Sequence, residues 1–358
     1  MKNLNENTSG NNKPFNTLAL SGTGGKKPQI TLMGKGKDLT DFKAMYRWAK
    51  RKLVTQIMAL SLMEVARRNE DWKWEQRFWS TFNCQSEIIT RGGRSYAILC
   101  RQRCCTICLA NRKAEKINLY LPTVLEMEDP YFLTLTVQSV NKDELRMRVR
   151  DIVKAIRTII ARHKKRHQRG TEQKFYGIWA LESNFNPITK TYNPHIHLIL
   201  PNNYISEIIK QEWLSYWNEK KVPISIEAQY HRPVNENREQ DLIEIVKYGS
   251  KIFTEPDLLK RLKETKKGGR VAFIYTAALY NILEAMDGID VFNTFGIKLP
   301  KAKKPSKMIT IADDYTEWEY NRETPDWFSF EYQGNLTNYK PPQKLHELLE
   351  YRVNNDLE

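Results

Sequence analysis

The stretch TYNPHIHLILP, residues 191–201, sets His195 and His197 one residue apart inside an apolar run. In a strand, residues i and i+2 share a face, so both imidazoles point one way while Ile196, Leu198 and Leu200 point into a core. Two neutral imidazoles on a rigid strand make half of a site for a divalent cation. Glu182 lies in the preceding predicted strand, where hairpin pairing would bring its carboxylate beside them. A second constellation sits in EQDLIEIVKYGSKIF, residues 239–253. Leu242, Ile245, Val246, Gly249 and Ile252 form an apolar stripe at helical spacing, and Glu244, Tyr248 and Lys251 fall on another face. A carboxylate one turn from a phenol can take its proton, or orient and deprotonate a water. Lys247 and Lys251 are placed to hold a phosphate or to stabilise a phenolate.

All five cysteines fall within residues 84–108. Cys84, Cys100, Cys105 and Cys108 supply four thiolates for a structural Zn²⁺, with Cys105-x-x-Cys108 as the knuckle. Cys104 is then spare, although it could replace Cys105 in a less familiar spacing. A cysteine cluster suits metal better than disulfides in a cytoplasmic chain. The chain reads as cytoplasmic because its start has no sustained hydrophobic stretch and no segment is long enough for a membrane span. The longest candidate, Val271 to Leu283, is too short and is interrupted by Asn281.

The elements that must position these residues follow from periodicity. Residues 41–81 read as helix, YFLTLTV (131–137) as a strand and 143–168 as a long helix rich in Arg and Lys. FYGIWALESNF (175–185) and HIHLILP (195–201) are strands around a turn. A helix near 206–220, a strand at VPISIEAQY (222–230) and a helix from about 238 to 253 follow. Residues 270–300 read as helix with a possible final strand. This order predicts an α+β fold, an antiparallel five-stranded sheet with helices segregated to one side.

Charge divides the chain unevenly. The net charge is +15, yet the residues from Asp313 onward hold eleven acidic and four basic side chains, a net of −7 that leaves +22 for the rest. A basic body of this size suits a polyanion, and nucleic acid is the commonest one. The SGTGGKKP stretch near the start lacks the Ser or Thr after its lysine and has no strand leading in, so it is no phosphate-binding loop. An ATP-driven motor is thereby disfavoured.

Taken together, the motifs resemble the HUH endonucleases, named for a histidine-hydrophobic-histidine strand and a nucleophilic tyrosine on a later helix. The likeness is closest to single-tyrosine rolling-circle replication initiators of small bacterial plasmids. Phe132 to Val137 corresponds to their first motif, Pro194 to His197 to the second, and Glu244-x-x-Lys247-Tyr248-x-x-Lys251 to the third. Order and spacing match over roughly residues 84–299, and the Cys-x4-Cys-x2-Cys segment rich in arginine is similar too. The resemblance implies an HUH/RRM-like nuclease core in which His195, His197 and Glu182 hold Mg²⁺ or Mn²⁺. It implies that Tyr248 attacks a phosphate of single-stranded DNA at a plasmid origin, giving a 5′-phosphotyrosine and a 3′-hydroxyl primer. Glu244 would activate water for the terminating cleavage. Gly249, a helix-weakening residue directly after the tyrosine, departs from an ordinary helix pattern.

The organisation expected is a disordered basic arm over 1–38, a helical and zinc-binding module over 39–122, a nuclease domain over 123–300 and an acidic aromatic tail over 301–358. Arg101, Arg103 and Arg112 are expected near DNA phosphates. A host helicase and DNA polymerase would be the protein partners, with no membrane involved. Two other classes stay open: a single-strand transposase or relaxase using the same chemistry, and a non-enzymatic zinc protein that binds DNA or RNA.

Overall fold

The structure, a computed structural model, describes residues 30–32, 37–246, 270–297, 309–311 and 315–356. The chain opens with β1 (Ile30–Leu32) and β2 (Lys37–Asp38), then α1 (Phe42–Arg68) and α2 (Trp72–Phe82). Asp41 and Asp71 cap these two helices, each carboxylate accepting a backbone N–H of the first turn. After β3 (Glu87–Arg91) and β4 (Arg94–Ala97) comes α3 (Thr106–Leu125). The central run is β5 (Tyr131–Thr136), α4 (Lys142–Gln168), β6 (Gly177–Asn186), β7 (Thr191–Leu200), α5 (Asn203–Glu219), β8 (Tyr230–Pro233) and α6 (Arg238–Val246). It is followed by α7 (Arg270–Ala285), β9 (Phe292–Phe295), β10 (Ile309–Ile311), β11 (Thr316–Asn321), β12 (Asp326–Ser329), β13 (Gly334–Asn335) and α8 (Gln343–Asp356).

A five-stranded antiparallel sheet runs in the order β8-β5-β7-β6-β9. Its alternation fills two cores. Leu133, Leu135, Trp179, Leu181, Ile196, Leu198 and Leu200 face α4, α5 and α7. Phe132, Ile178, Ala180 and Ile199 face the other way, against Val124 and Met127 at the end of α3 and Leu242, Ile245 and Val246 of α6. Helices therefore cover both faces, where the sequence predicts them on one. The β6 and β7 runs are apolar on both sides, and a sheet apolar on both sides must be covered on both.

The strand expected at 222–230 also falls elsewhere. Residues 222–229 form a loop and the paired residues are Tyr230–Pro233. Pro223 lacks an N–H for a ladder. The buried side chain of Gln229 takes the place of a strand neighbour, accepting from the Thr136 N–H and donating to the Thr136 carbonyl.

A second, six-stranded sheet joins distant parts of the chain in the order β13-β12-β11-β3-β4-β2. The acidic C-terminal stretch supplies half of it, with β11 pairing Trp318 opposite Ile88 of β3. Trp327 is fully buried, its ring 4.3 Å from that of Trp48 in α1 and its indole N–H donating to the Gln85 carbonyl. The shared core takes α1, α2, the cysteine segment and α8. α7 belongs to both halves, since Leu279, Tyr280 and Leu283 enter this core while Ala278, Ile282 and Ala285 enter that of the five-stranded sheet.

Candidate metal centres and the strands that hold them

Antiparallel pairing sets Glu182 of β6 directly opposite His195 of β7, and Thr136 and Thr134 of β5 opposite His195 and His197. Glu182, His195 and His197 thus share the face that α6 covers lower down. Their reactive atoms converge: His195 Nε2 lies 3.1 Å from His197 Nε2, and Glu182 Oε2 lies 3.1 Å from His197 Nε2 and 3.4 Å from His195 Nε2. The His195 Nδ1–H donates to the Asn193 carbonyl at 2.8 Å, which in the neutral ring turns the Nε2 lone pair toward His197 and Glu182. His197 Nδ1 is braced by Thr134 Oγ1 at 2.9 Å. Three lone-pair atoms this close repel one another unless a proton or a cation sits among them. Neighbouring ligands on an octahedral cation at about 2.1 Å lie about 3.0 Å apart, so the spacing fits a divalent ion. Glu182 and His195 are buried and His197 nearly so, which limits the water that competes for such an ion.

The four-thiol set assembles as well. Cys84, Cys100, Cys105 and Cys108 bring their sulfurs within 4.8 Å of one another, and Cys108 Sγ is 3.7 Å from Cys84 Sγ and 3.6 Å from Cys100 Sγ. A tetrahedron of Zn–S bonds of about 2.3 Å has edges of about 3.8 Å, so these residues fit a tetrahedral thiolate site. Cys105 is the N-cap of α3, its sulfur accepting the Cys108 N–H at 3.4 Å. Its thiol is pulled well below the ordinary range by hydrogen bonds from the Cys100 thiol first, then from Cys108 and Cys84. Cys104 points elsewhere, 3.6 Å from Thr81 Oγ1, and burial pushes its thiol up to about 12. Its sulfur lies outside the group that Cys84, Cys100, Cys105 and Cys108 form.

A replication-protein family matches residues 94–324 of the chain. The chain belongs to that family. A staphylococcal relative, "protein rep" of Staphylococcus aureus, is 31% identical over 164 residues, 42% of this chain and 69% of that protein. Proteins of the same name from Bacillus amyloliquefaciens and a Bacillus species are 32% and 31% identical over 132 residues. This chain covers 37% and 41% of their lengths. No solved structure matches it. The family match includes the Glu182, His195 and His197 strands, α6, and Cys100, Cys105 and Cys108; Cys84 precedes it.

Of the residues expected on the tyrosine helix, Glu244 lies on α6 and lines a cavity with Arg232, Asn235, Gln240, Asp241 and Ile243. Tyr248, Lys247 and Lys251 lie outside the described residues. α6 is fixed to the sheet by a bidentate pair, Arg232 Nη1 and Nη2 to the buried Asp241 carboxylate at 2.9 and 2.5 Å. Arg232 also stacks over Phe132 at 4.8 Å, and that ring lies 5.4 Å from His197. Helix and histidine strand are therefore braced through one aromatic residue.

The three arginines expected near DNA differ in their surroundings. Arg101 is exposed, but Arg103 and Arg112 turn inward. Arg103 donates to the carbonyls of Met286 and Ile289, and Arg112 to those of Gln102 and Cys108. Arg103 ties the cysteine loop to the residues after α7, and Arg112 ties the loop to α3. The sequence does not disclose this, because the accepting carbonyls of Met286 and Ile289 are far away along the chain.

Sequence reasoning also passes over Lys52, one of many basic residues on α1. It is fully buried, and its ammonium donates to the Phe82 and Cys84 carbonyls and to Ser86 Oγ at 2.8 to 3.0 Å. Burial draws its pKa down to about 8, against the pull of the Cys84, Cys105 and Cys100 thiolates. A positive charge here would offset the net negative charge that four thiolates on a divalent ion would carry. Among the described residues no helix is long and apolar enough to cross a membrane.

Proposed function

We propose that this chain is a plasmid rolling-circle replication initiator that cuts and rejoins one DNA strand at a double-strand origin. The observation that carries the reading is the convergence of His195 Nε2, His197 Nε2 and Glu182 Oε2 within 3.4 Å, in a chain of the replication-protein family. Mg²⁺ or Mn²⁺ held there would polarise the scissile phosphate and stabilise the charge that builds in the transition state. Two imidazoles and one carboxylate suit Mn²⁺ at least as well as Mg²⁺.

The chain's own residues supply the rest. The Tyr248 hydroxyl attacks the scissile phosphorus and gives up its proton. A tyrosyl oxygen–phosphorus bond forms as the bond to the 3′-oxygen breaks, and that oxygen takes a proton to become the 3′-hydroxyl primer. The energy of the phosphodiester is kept in the 5′-phosphotyrosine, so the strand can be rejoined without ATP. Glu244 serves the terminating cleavage by orienting and deprotonating a water, and Lys247 and Lys251 neutralise phosphate or phenolate. Arg101 contacts the DNA backbone. Zn²⁺ on Cys84, Cys100, Cys105 and Cys108 holds the module beside the nuclease sheet. A host helicase separates the strands and a host polymerase extends the primer.

The test is to mix the protein with single-stranded origin DNA and Mn²⁺. Wild type becomes covalently attached to the 5′ end of the downstream fragment and Tyr248→Phe does not. An unimpaired Tyr248→Phe variant sinks the assignment.

A further inference from the structure

Two arginines stand at the ends of two helices, and both connect the four-cysteine module to the nuclease half. Arg238, the first residue of α6, reaches the C-terminus of α3. Its Nη1 donates to the Val124 and Leu125 carbonyls at 3.0 and 2.9 Å and to the Met127 carbonyl, and its Nη2 donates to the Glu128 carbonyl at 3.3 Å. The last carbonyls of a helix lack intrahelical partners and carry partial negative charge, so a guanidinium there satisfies several acceptors at once. Arg103 does the same for α7 from the other side. It leaves the cysteine loop between Cys100 and Cys105 and donates to the carbonyls of Met286 and Ile289, just beyond the end of α7. Two residues after Ile289, the Val291 carbonyl accepts the Leu181 N–H, the residue next to Glu182.

The two clamps share one origin. α3 is capped by Cys105, a member of the thiol cluster, and ends under Arg238 after 20 residues, a rigid rod of about 30 Å. Arg112 on that rod braces the cysteine loop through the Gln102 carbonyl at 2.8 Å, next to Arg103. Apolar packing backs the first clamp, since Val124 and Met127 share a core with Leu242, Ile245 and Val246 of α6. In the sequence, α6 and α7 flank residues 247–269, and Tyr248 follows the end of α6 by two residues.

We propose that Arg103 and Arg238 are positioning residues that lock the two helices flanking residues 247–269 to the cysteine module. The integrity of the Cys84–Cys100–Cys105–Cys108 cluster thereby sets how well strand cleavage is aligned at the far end of α3. The claim rests on the nuclease reading only for its effect on cleavage. The mechanical linkage between cluster and α6 stands or falls separately.

The experiment uses the full chain with Arg238→Gln, Arg103→Gln and the conservative Arg238→Lys. Single-stranded oligonucleotides tiling the DNA around the coding sequence serve as substrate, with Mn²⁺ present. A misplacement of about 1 Å costs on the order of a hundredfold in rate, so kcat for the two Gln variants falls about 10- to 100-fold while KM stays within about twofold. Arg238→Lys, which keeps the charge without the planar fork, recovers part of the loss. Zinc content is unchanged in all three. Unchanged kcat overturns the proposal, and a raised KM with intact kcat overturns it by making Arg103 a phosphate contact after all.

Hydrogen exchange gives a readout that needs neither activity nor a folded variant. Stripping metal from wild type with a chelator speeds exchange in α6 and over residues 282–291, with α5, which neither arginine touches, as the unaffected reference. Exchange in α6 that ignores the chelator overturns the linkage. If wild type forms no covalent adduct with any oligonucleotide, the nuclease reading fails while the exchange result still decides the linkage.

Discussion

Replacing Thr134 by Val removes the brace on His197 and nothing else. Valine keeps the β-branched shape, so no cavity opens on β5 and the strand pairing opposite His197 survives. The lost contact is the 2.9 Å hydrogen bond between Thr134 Oγ1 and His197 Nδ1, on a ring whose side chain is only 12% exposed. His195 offers no comparable target, because its Nδ1–H is held by a backbone carbonyl that no substitution deletes. Outer partners of metal-binding histidines are worth about 10- to 100-fold in metal affinity, about 1.4 to 2.8 kcal/mol. The fold itself loses only about 0.5 to 1.5 kcal/mol with the hydrogen bond. Calorimetric titration with Mn²⁺ reads the first quantity and chemical denaturation reads the second. Half-saturating Mn²⁺ for DNA cleavage rises by the same factor as the dissociation constant, while the rate at saturating Mn²⁺ stays near wild type. A dissociation constant within about twofold of wild type, in a variant that remains folded, refutes the claim that Thr134 orients a metal ligand.

Three further outcomes follow from the same geometry. Cys105→Ser loses zinc on purification and Cys104→Ser retains it, as metal analysis of the two proteins shows; the reverse pattern contradicts the grouping of the thiols. Ile196→Ala, which empties a fully buried site beneath the histidines, costs about 2 to 5 kcal/mol in denaturant unfolding. His163 is stacked on Phe175 at 4.0 Å, with Glu212 2.9 Å from its Nε2, and burial lowers its pKa. Below about pH 6.5 the unfolded chain binds a proton that the folded one refuses, so stability drops as pH falls through this range, and His163→Gln shows a shallower drop in acid denaturation.

The histidine strand was legible because alternation alone separates His195 and His197 from Ile196 and Leu198. Its partner was legible as a residue type but not as a register. The turn at 187–190 could have shifted Glu182 by one position and onto the opposite face, and only the Glu182–His195 pairing fixes it. The cysteine cluster was readable as a group, while the exclusion of Cys104 depends on the turn into α3. What stayed hidden is non-local. The six-stranded sheet joins residues 87–91 to 316–319, beyond the reach of any local pattern. Gln229 acts through its side chain as a strand neighbour, where β-propensity over 222–230 predicts backbone pairing. Arg103 and Arg112 show the same limit: a basic residue near cysteines has the same letter whether it meets a phosphate or a carbonyl.

The central claim, a metal-dependent strand transfer onto Tyr248, is tested most directly by mapping the covalent adduct. Protein is mixed with single-stranded origin DNA with and without Mn²⁺, digested, and sequenced by mass spectrometry alongside Glu182→Gln. A 5′-nucleotide on the Tyr248 peptide, formed only with Mn²⁺ and greatly reduced in Glu182→Gln, is the predicted result. An adduct on another residue, or one that forms equally without metal and without Glu182, contradicts it.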